Sequence, residues 1–203
     1  MKRAGVEMPY WKQSTFAETL EAILRTWSAE PLASIPRLDR SLVHKSHDEN
    51  VFVSRLERVL EGEEDVFAAQ FVLDSGHSFF FEHPLDHVPG LMLIEAGRQA
   101  ATAASHLYYG VPAGSVFILR DLAVDFTAFA ELDQPVFVLS HVRERQVKNG
   151  QLAGMFCQGA FFQNEKQIGT MSGRWMIMDR RVAERMREVW RAAAPAPPPA
   201  EQG

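Results

Sequence analysis

One short segment of the chain combines a helix start with a carboxylate placed just inside an apolar helix. Pro89-Gly90 is followed by four apolar residues and then by Glu95. The first backbone N–H groups of a helix lack intrahelical partners, and partial positive charge collects there. Gly90 and Leu91 are therefore predicted to hold a carbonyl oxygen or an oxyanion. We expect burial in the helix to raise the pKa of Glu95 toward values useful for acid–base catalysis.

Three histidines, His77, His83 and His87, crowd the approach to this helix. Because a histidine beside a carboxylate is a common acid–base pair, one of them is a candidate for a catalytic role. His83 and His87, with Asp86 between them, also suggest a metal motif. Pro84 breaks the helical geometry that such a motif uses, and no further thiolate is close, so no metal is expected.

Arg98 and Gln99 follow Glu95 by about one helical turn. Arg98 could orient Glu95 or bind a phosphate group. The alternative is a structural ion pair between Arg98 and Glu95, since buried charges are normally paired. Cys157 is the only cysteine, and its place in an apolar strand is more typical of a packed side chain than of a nucleophile.

Hydrophobic periodicity predicts the elements that position these residues. The segment 91–104 is apolar or small on nearly every side, which indicates a helix of about 20 residues surrounded by protein. Asn149-Gly150 predicts a type I′ hairpin turn. The remaining predicted elements are a capped amphipathic helix over 15–28, strands over 50–59, 65–73, 115–126, 136–147, 154–162 and 168–178, and a charged helix that begins at Arg180.

This order of elements is the plan of an α+β hotdog fold, in which an antiparallel sheet wraps one long central helix and extra helices flank it at both ends. Periodicity alone equally describes another α+β arrangement. The predicted divisions are an N-terminal helix and connector over 1–38, the hotdog domain over 39–179, a C-terminal helix over 180–194 and a disordered proline-rich tail over 195–203. A single sheet of this kind leaves an exposed edge strand, so a homodimer is expected.

The bulk composition excludes several classes of function. The net charge of -5 and the pI near 5.8 argue against nucleic-acid binding, which needs a basic surface. One cysteine rules out an internal disulfide and fits a reducing, cytoplasmic compartment. The chain begins without the apolar segment of a secretory signal, and Glu95, Arg98 and Gln99 interrupt its longest apolar stretch, so no membrane partner is expected.

Three motifs carry a resemblance to known families. The segment from Pro89 to Ala96 is similar to the start of the central helix in hotdog 3-hydroxyacyl-carrier-protein dehydratases. The continuation to Ala100, with Leu42-Val43-His44-Lys45 and Asn50-Val51-Phe52-Val53-Ser54 upstream, more closely resembles the A-factor (γ-butyrolactone) biosynthesis hotdog family. This second resemblance covers roughly residues 40–178.

The resemblance implies an acyltransferase. Members of the family are understood to pass a β-ketoacyl group from a thioester carrier to the hydroxyl of dihydroxyacetone phosphate. For this chain it implies a thioester of acyl carrier protein or coenzyme A, a small hydroxyl acceptor, and no cofactor beyond the phosphopantetheine of the substrate. The resemblance assigns roles to Glu95, His77 and the Arg98-Gln99 pair. Together with the helix start and its approach, the predicted site has catalytic Glu95, His77 and Arg98, and substrate-binding Gly90, Leu91, Gln99, His83 and His87.

Two departures from the family patterns keep alternatives open. The dehydratases have a shorter stretch between histidine and glutamate than the one between His77 and Glu95, which argues against simple dehydration. Typical A-factor synthases hold two hotdog units and this sequence holds one, so two chains must combine. Transfer to water would instead make a thioesterase, and loss of an internal hydroxyl a dehydratase. A non-catalytic acyl-thioester-binding protein is the competing class, although no helix-turn-helix candidate precedes residue 40.

Overall fold

The computed structural model describes residues 21–23, 25–27, 35–61 and 65–193. Residues 21–23 and 25–27 are helical, inside the helix predicted over 15–28. The rest of that predicted helix and the predicted disordered tail lie outside the described residues. The proposed domain divisions at both termini therefore stay predictions.

The elements follow the predicted order. Two short 3₁₀ turns, Arg40–Val43 and Asp48–Asn50, come first. The strands and helices that follow are β1 (Val53–Leu60), β2 (Asp65–Phe71), α1 (Gly90–Tyr109), β3 (Val116–Phe126), β4 (Phe137–Lys148), β5 (Gln151–Gln163), β6 (Lys166–Met178) and α2 (Arg180–Ala193). One difference matters for the site: Asn50, predicted to begin a strand, lies in the second 3₁₀ turn.

The six strands form one antiparallel sheet in the order β1-β2-β4-β5-β6-β3. Helix α1 packs on its inner face through small residues, among them Ala96, Ala100 and Ala103, which are at most 2 % exposed. Small side chains let the helix approach the sheet closely: a Cβ on Gly97 would lie 2.9 Å from the sulfur of Met171. An antiparallel sheet around one long helix is the predicted α+β architecture.

Both hairpins in the second half of the sheet close with residues of positive φ. Asn149 has φ 52° and Gly150 has φ 76°, which confirms the predicted type I′ turn between β4 and β5. Asn164 and Glu165 also have positive φ, 50° and 61°, so the turn between β5 and β6 is tighter than its five polar residues suggested. The strands therefore extend closer to both turns than predicted.

The start of α1 and the end of β3 meet at one end of the molecule. A Cβ on Gly90 would lie 2.8 Å from the ring of Phe126, so only glycine fits there without displacing the ring. The amide of Val88 donates to the carbonyl of Ala130 over 2.8 Å, which fastens the approach to α1 to the loop after β3. Strands β1 and β3 are the two edges of the sheet, so this junction lies at an open edge.

Candidate active site

A cavity of about 370 Å³ lies where α1 begins. One wall comes from His87, Gly90 and Leu93, and the other from residues 126–130, including Phe126 and Phe129. The cavity therefore combines a helix N-terminus, a histidine and aromatic rings. This composition, mostly apolar with few polar groups, is typical of sites for small organic ligands.

The backbone at the start of α1 offers free donors. Pro89 is the N-cap and provides no side-chain cap, and its carbonyl accepts from the amides of Met92 and Leu93 over 2.9 and 3.4 Å. Among the described residues, the N–H groups of Gly90 and Leu91 make no hydrogen bond. These two amides are the ones predicted to hold a carbonyl oxygen, and Gly90 lines the cavity.

His87 is the titratable side chain that lines the cavity. Its Nδ1 lies 2.7 Å from Oδ1 of Asp86, and this hydrogen bond lowers the pKa of Asp86. A neutral imidazole that donates from Nδ1 keeps its lone pair on Nε2. Within the described part of the chain Nε2 has no partner, and the ring packs edge-on against Phe129 with centroids 4.8 Å apart. His87 can therefore accept a proton at Nε2.

Glu95 does not line this cavity and is tied to three donors. Arg98 donates to both carboxylate oxygens at 2.8 Å, Lys45 lies 2.7 Å from Oε1, and Gln99 donates to Oε1 over 2.9 Å. Burial by itself raises the pKa of Glu95, but the three donors outweigh it and lower the pKa from 4.5 to about 2. The expectation of a raised pKa is wrong, because the charged form is the one that the donors stabilise.

Arg98 and Gln99 also fasten the segment before β1 to the helix. Arg98 donates to the carbonyl of Val43 over 3.2 Å. The fully buried Gln99 accepts from the amide of Phe52 over 2.8 Å and donates to the carbonyl of Asn50 over 2.7 Å. Protein atoms thus engage both side chains. This favours the alternative in which Arg98 forms a structural ion pair with Glu95.

His77 joins the same network. It is 8 % exposed, and its Nδ1 accepts from the amides of Phe79 and Phe80 at 3.3 and 3.4 Å. Nε2 must then carry the proton, and it donates to Oδ1 of Asn50 over 3.1 Å. Both ring nitrogens are occupied and His77 is not part of the cavity wall, so it is poorly placed to act as a base. His83 is exposed to solvent and does not line the cavity either.

Sequence reasoning gave Lys45 and Asn50 no role at the site and considered Asp86 only as a possible metal ligand. Lys45 and Asn50 belong to the two upstream motifs that carried the family resemblance, so a signal was present but without an assigned partner. The adjacent His44 forms a second contact that was not predicted. Its Nε2 lies 2.9 Å from Nε2 of His106, whose Nδ1 donates to a backbone carbonyl.

Other chemistries find little support in the described residues. They contain no group of three or more His, Cys, Asp or Glu side chains placed to hold a metal. Burial raises the pKa of Cys157 to about 12, which keeps the thiol protonated. Neither α1 nor α2 is long and apolar enough to cross a membrane.

Comparison with solved structures concerns the fold. The protein yhdA from Lactococcus lactis superposes with a TM-score of 0.51 at 9 % identity, over 64 % of this chain and 94 % of that one. A thioesterase superfamily member from Thermus thermophilus gives a TM-score of 0.45 at 16 % identity, over 66 % and 97 % of the two chains. A long helix wrapped by this antiparallel sheet is the hotdog fold, as predicted.

A match to a protein-family model shows the family of this chain. The A-factor biosynthesis hotdog domain matches residues 27–179, and the chain belongs to this family. The protein named 2-oxo-3-(phosphooxy)propyl 3-oxoalkanoate synthase is 35 % identical in Streptomyces virginiae over 89 residues, and 30 % identical in Streptomyces coelicolor over 118 residues. These alignments cover 44 % and 57 % of this chain but only 26 % and 33 % of the two relatives.

Proposed function

We propose that the chain is an acyltransferase that passes a β-ketoacyl group from a thioester of acyl carrier protein or coenzyme A to a small hydroxyl acceptor such as dihydroxyacetone phosphate. The observation that carries the proposal is the cavity at the start of α1, which His87 and Gly90 both line. Within the described residues, Nε2 of His87 and the amide of Gly90 have no partner, and the amide of Leu91, the next residue of the helix, has none either. The name of the Streptomyces relatives describes the corresponding ester product.

The residues at the cavity suggest a separate role for each group in acyl transfer. The thioester carbonyl oxygen rests on the amides of Gly90 and Leu91, which stabilise the oxyanion as it forms. Nε2 of His87 takes the proton of the acceptor hydroxyl, and the hydroxyl oxygen bonds to the carbonyl carbon. Collapse breaks the carbon–sulfur bond, and His87 returns the proton to the departing sulfur. Asp86 holds the Nδ1–H tautomer throughout.

Glu95 has a positioning role in this proposal. With a pKa near 2 it stays ionised at neutral pH, and its charge is matched by Arg98 and Lys45. The ion pairs hold the segment around Lys45 against α1, and Gln99 extends the same connection to the residues just before β1. The network therefore fixes the helix whose first turn carries the oxyanion site.

We further propose that the active form is a homodimer joined through β3. This edge strand is 11 residues long, and it exposes Leu119, Leu122 and Phe126 by 40–45 %. Long apolar edges pair readily with another strand, and two copies of β3 can pair antiparallel about a twofold axis. Phe126 lines the cavity, so the interface would adjoin the active site. No Lys or Arg lines the described cavity wall, and a partner chain could supply the cation for a phosphate-bearing acceptor.

The test of the function is a substrate panel read by mass spectrometry. We expect β-ketoacyl thioesters to give an ester only when dihydroxyacetone phosphate is added. Free acid without ester would indicate a thioesterase, and loss of water from 3-hydroxyacyl thioesters a dehydratase. Stoichiometric binding with no product would leave a binding protein. Each of these last three results would contradict acyl transfer.

The dimer is tested by light scattering on a matched pair of variants. Wild-type protein should have twice the chain mass of 22.9 kDa. Leu122→Glu on β3 should give the single-chain mass and lose activity, because a charge replaces an apolar contact between the strands. Leu107→Glu, a change at an exposed leucine of α1, should leave the dimer intact. A wild-type monomer with full activity would contradict the proposal.

A further inference from the structure

Helix α2 carries an apolar stripe that the described structure covers only in part, and the end of the stripe at Val189 and Trp190 is mostly exposed. Val182, Met186, Val189 and Trp190 are 38, 40, 68 and 76 % exposed. Their spacing of i, i+4, i+7 and i+8 places them on one face of the helix. A tryptophan that is three-quarters exposed inside an apolar stripe marks an interaction surface, because isolated folded chains rarely present such a patch to water.

The charges around the stripe are ordered. The helix contains five arginines and two glutamates, in a chain whose net charge is -5. At 3.6 residues per turn, Arg185 and Arg187 border the stripe on its two sides, while Glu184 and Glu188 lie on the opposite side. The surface therefore presents an apolar centre between two cations. Such a surface suits a partner that is acidic and has an apolar patch of its own.

We propose that α2 is the docking helix for an acidic acyl carrier protein that delivers the thioester. The inference rests on the proposed acyl transfer and selects the carrier protein over coenzyme A as the natural donor. Carboxylates of the carrier would pair with Arg185 and Arg187, and its apolar patch would cover Trp190 and Val189. Coenzyme A has no protein surface that could bury an apolar stripe about 12 Å long.

An anionic membrane is a weaker fit to the same helix, although basic amphipathic helices do bind such surfaces. A membrane is an extended plane, so it would repel the chain's excess of acidic side chains as well as attract the helix. A small carrier protein needs to approach α2 alone. Screening over about 10 Å then separates the local arginines from the rest of the chain.

The geometry of the sheet decides which cavity the carrier would serve. Helix α2 follows β6, whose end at Met178 pairs with Val116 at the start of β3. The cavity lies at the other end of β3, beside Phe126. An 11-residue strand spans about 35 Å, which is longer than a phosphopantetheine arm. Antiparallel pairing of two β3 strands sets the start of one beside the end of the other, so α2 of one protomer serves its partner's cavity.

The test compares two donors for each variant. Arg185→Glu, Arg187→Glu and Trp190→Ala should each lower kcat/KM with acyl carrier protein by about tenfold or more, and change it less than about twofold with acyl-coenzyme A. Lys166→Glu is the control for the two arginine variants, since it makes the same change of charge at the start of β6. Equal losses with both donors, or no loss with the carrier protein, would overturn the proposal.

Direct binding separates this inference from the proposed function. Calorimetry with acyl carrier protein should show weaker binding for the three α2 variants whether or not the enzyme turns over. If all three variants bind the carrier protein as tightly as the wild type does, docking on α2 is overturned. If the wild type binds the carrier protein but does not turn over, only the proposed acyl transfer is contradicted. Two further results would assign α2 to another occupant. One is binding to anionic vesicles that depends on Trp190, without binding to the carrier protein, and the other is dissociation of the dimer by Trp190→Ala.

Mixed dimers test delivery between protomers. Chains with Arg185→Glu and chains with His87→Gln are each impaired on acyl carrier protein. A dimer of one of each keeps one cavity with an intact His87 beside the intact α2 of its partner. Partial recovery of activity on mixing is therefore expected, and no recovery would overturn delivery across the dimer.

Discussion

Two polar clusters adjoin the first turns of α1, and they differ in how fully their atoms are engaged. At the cavity, His87 keeps a free Nε2 and Gly90 keeps a free amide. About one turn further on, the carboxylate of Glu95 accepts from Arg98, Lys45 and Gln99. A binding site needs hydrogen-bonding groups that remain open for the substrate. In a structural network, the hydrogen-bonding groups of the protein are paired with one another. For this reason our proposal places the chemistry at the open atoms beside the cavity and gives the charge inside the helix a positioning role.

The largest expected effect is on turnover and comes from a change at the cavity. His87→Gln should lower turnover by about 100-fold or more, because it removes the proton acceptor while keeping the size of the side chain. Steady-state rates with the β-ketoacyl thioester measure this. His83→Gln serves as the control, and near-normal turnover of the His87 variant would remove His87 from the mechanism.

The next largest effect concerns the Glu95 cluster and is an effect on the stability of the fold. Glu95→Gln should lower the free energy of unfolding by about 3 kcal/mol at pH 7, the linkage value of a pKa near 2 against 4.5. Because the folded pKa is the lower one, this stability is present above pH 4.5 and is lost as the pH falls toward 2. Denaturant titrations at several pH values measure it.

Glu184→Gln, on the exposed helix α2, is the matched control for this change and should leave the unfolding curve unchanged. The turnover of folded Glu95→Gln protein should fall much less than that of His87→Gln. A stable Glu95 variant with about 100-fold lower turnover would return Glu95 to the chemistry.

A smaller effect sharpens the geometry of the oxyanion site. Gly90→Ala should raise KM by about fivefold, equivalent to roughly 1 kcal/mol, because the new Cβ must push the ring of Phe126 into the cavity. Gly114→Ala is a matched control, since a Cβ there meets no atom within 4 Å. An unchanged KM for the Gly90 variant would show that the ring moves away from the substrate.

The smallest effect concerns His44, at the far end of α1. Burial, and then the nearby charges of His106, Arg98 and Arg180, lower the pKa of His44. The unfolded chain therefore takes up a proton first, and stability should decline slightly as the pH falls below 6.5. His44→Asn keeps a residue type that tolerates the left-handed backbone at φ 58° and should reduce this decline. An identical pH profile in thermal melts would exclude His44 as its source.

Much of the fold follows from the sequence because its signals are local. Apolar spacing defines each strand and helix within a few residues, Pro89-Gly90 sets the start of α1, and Asn149-Gly150 requires a particular turn. The three motifs also identified the family, which the family match confirms. These features depend on residues close together in the chain, where periodicity and backbone preference are sufficient.

The site could not be assigned in the same way, because its chemistry depends on contacts between distant segments. Lys45 reaches Glu95 from the loop between the two 3₁₀ turns, so the carboxylate is held charged. Asn50 bonds His77, so that histidine is engaged. The cavity forms only where the loop after β3 meets the start of α1. The sequence by itself determined the elements, their order and the residue types near the helix start. The tertiary structure decided which histidine is open and which way the pKa of Glu95 moves, because both depend on donors brought together by packing.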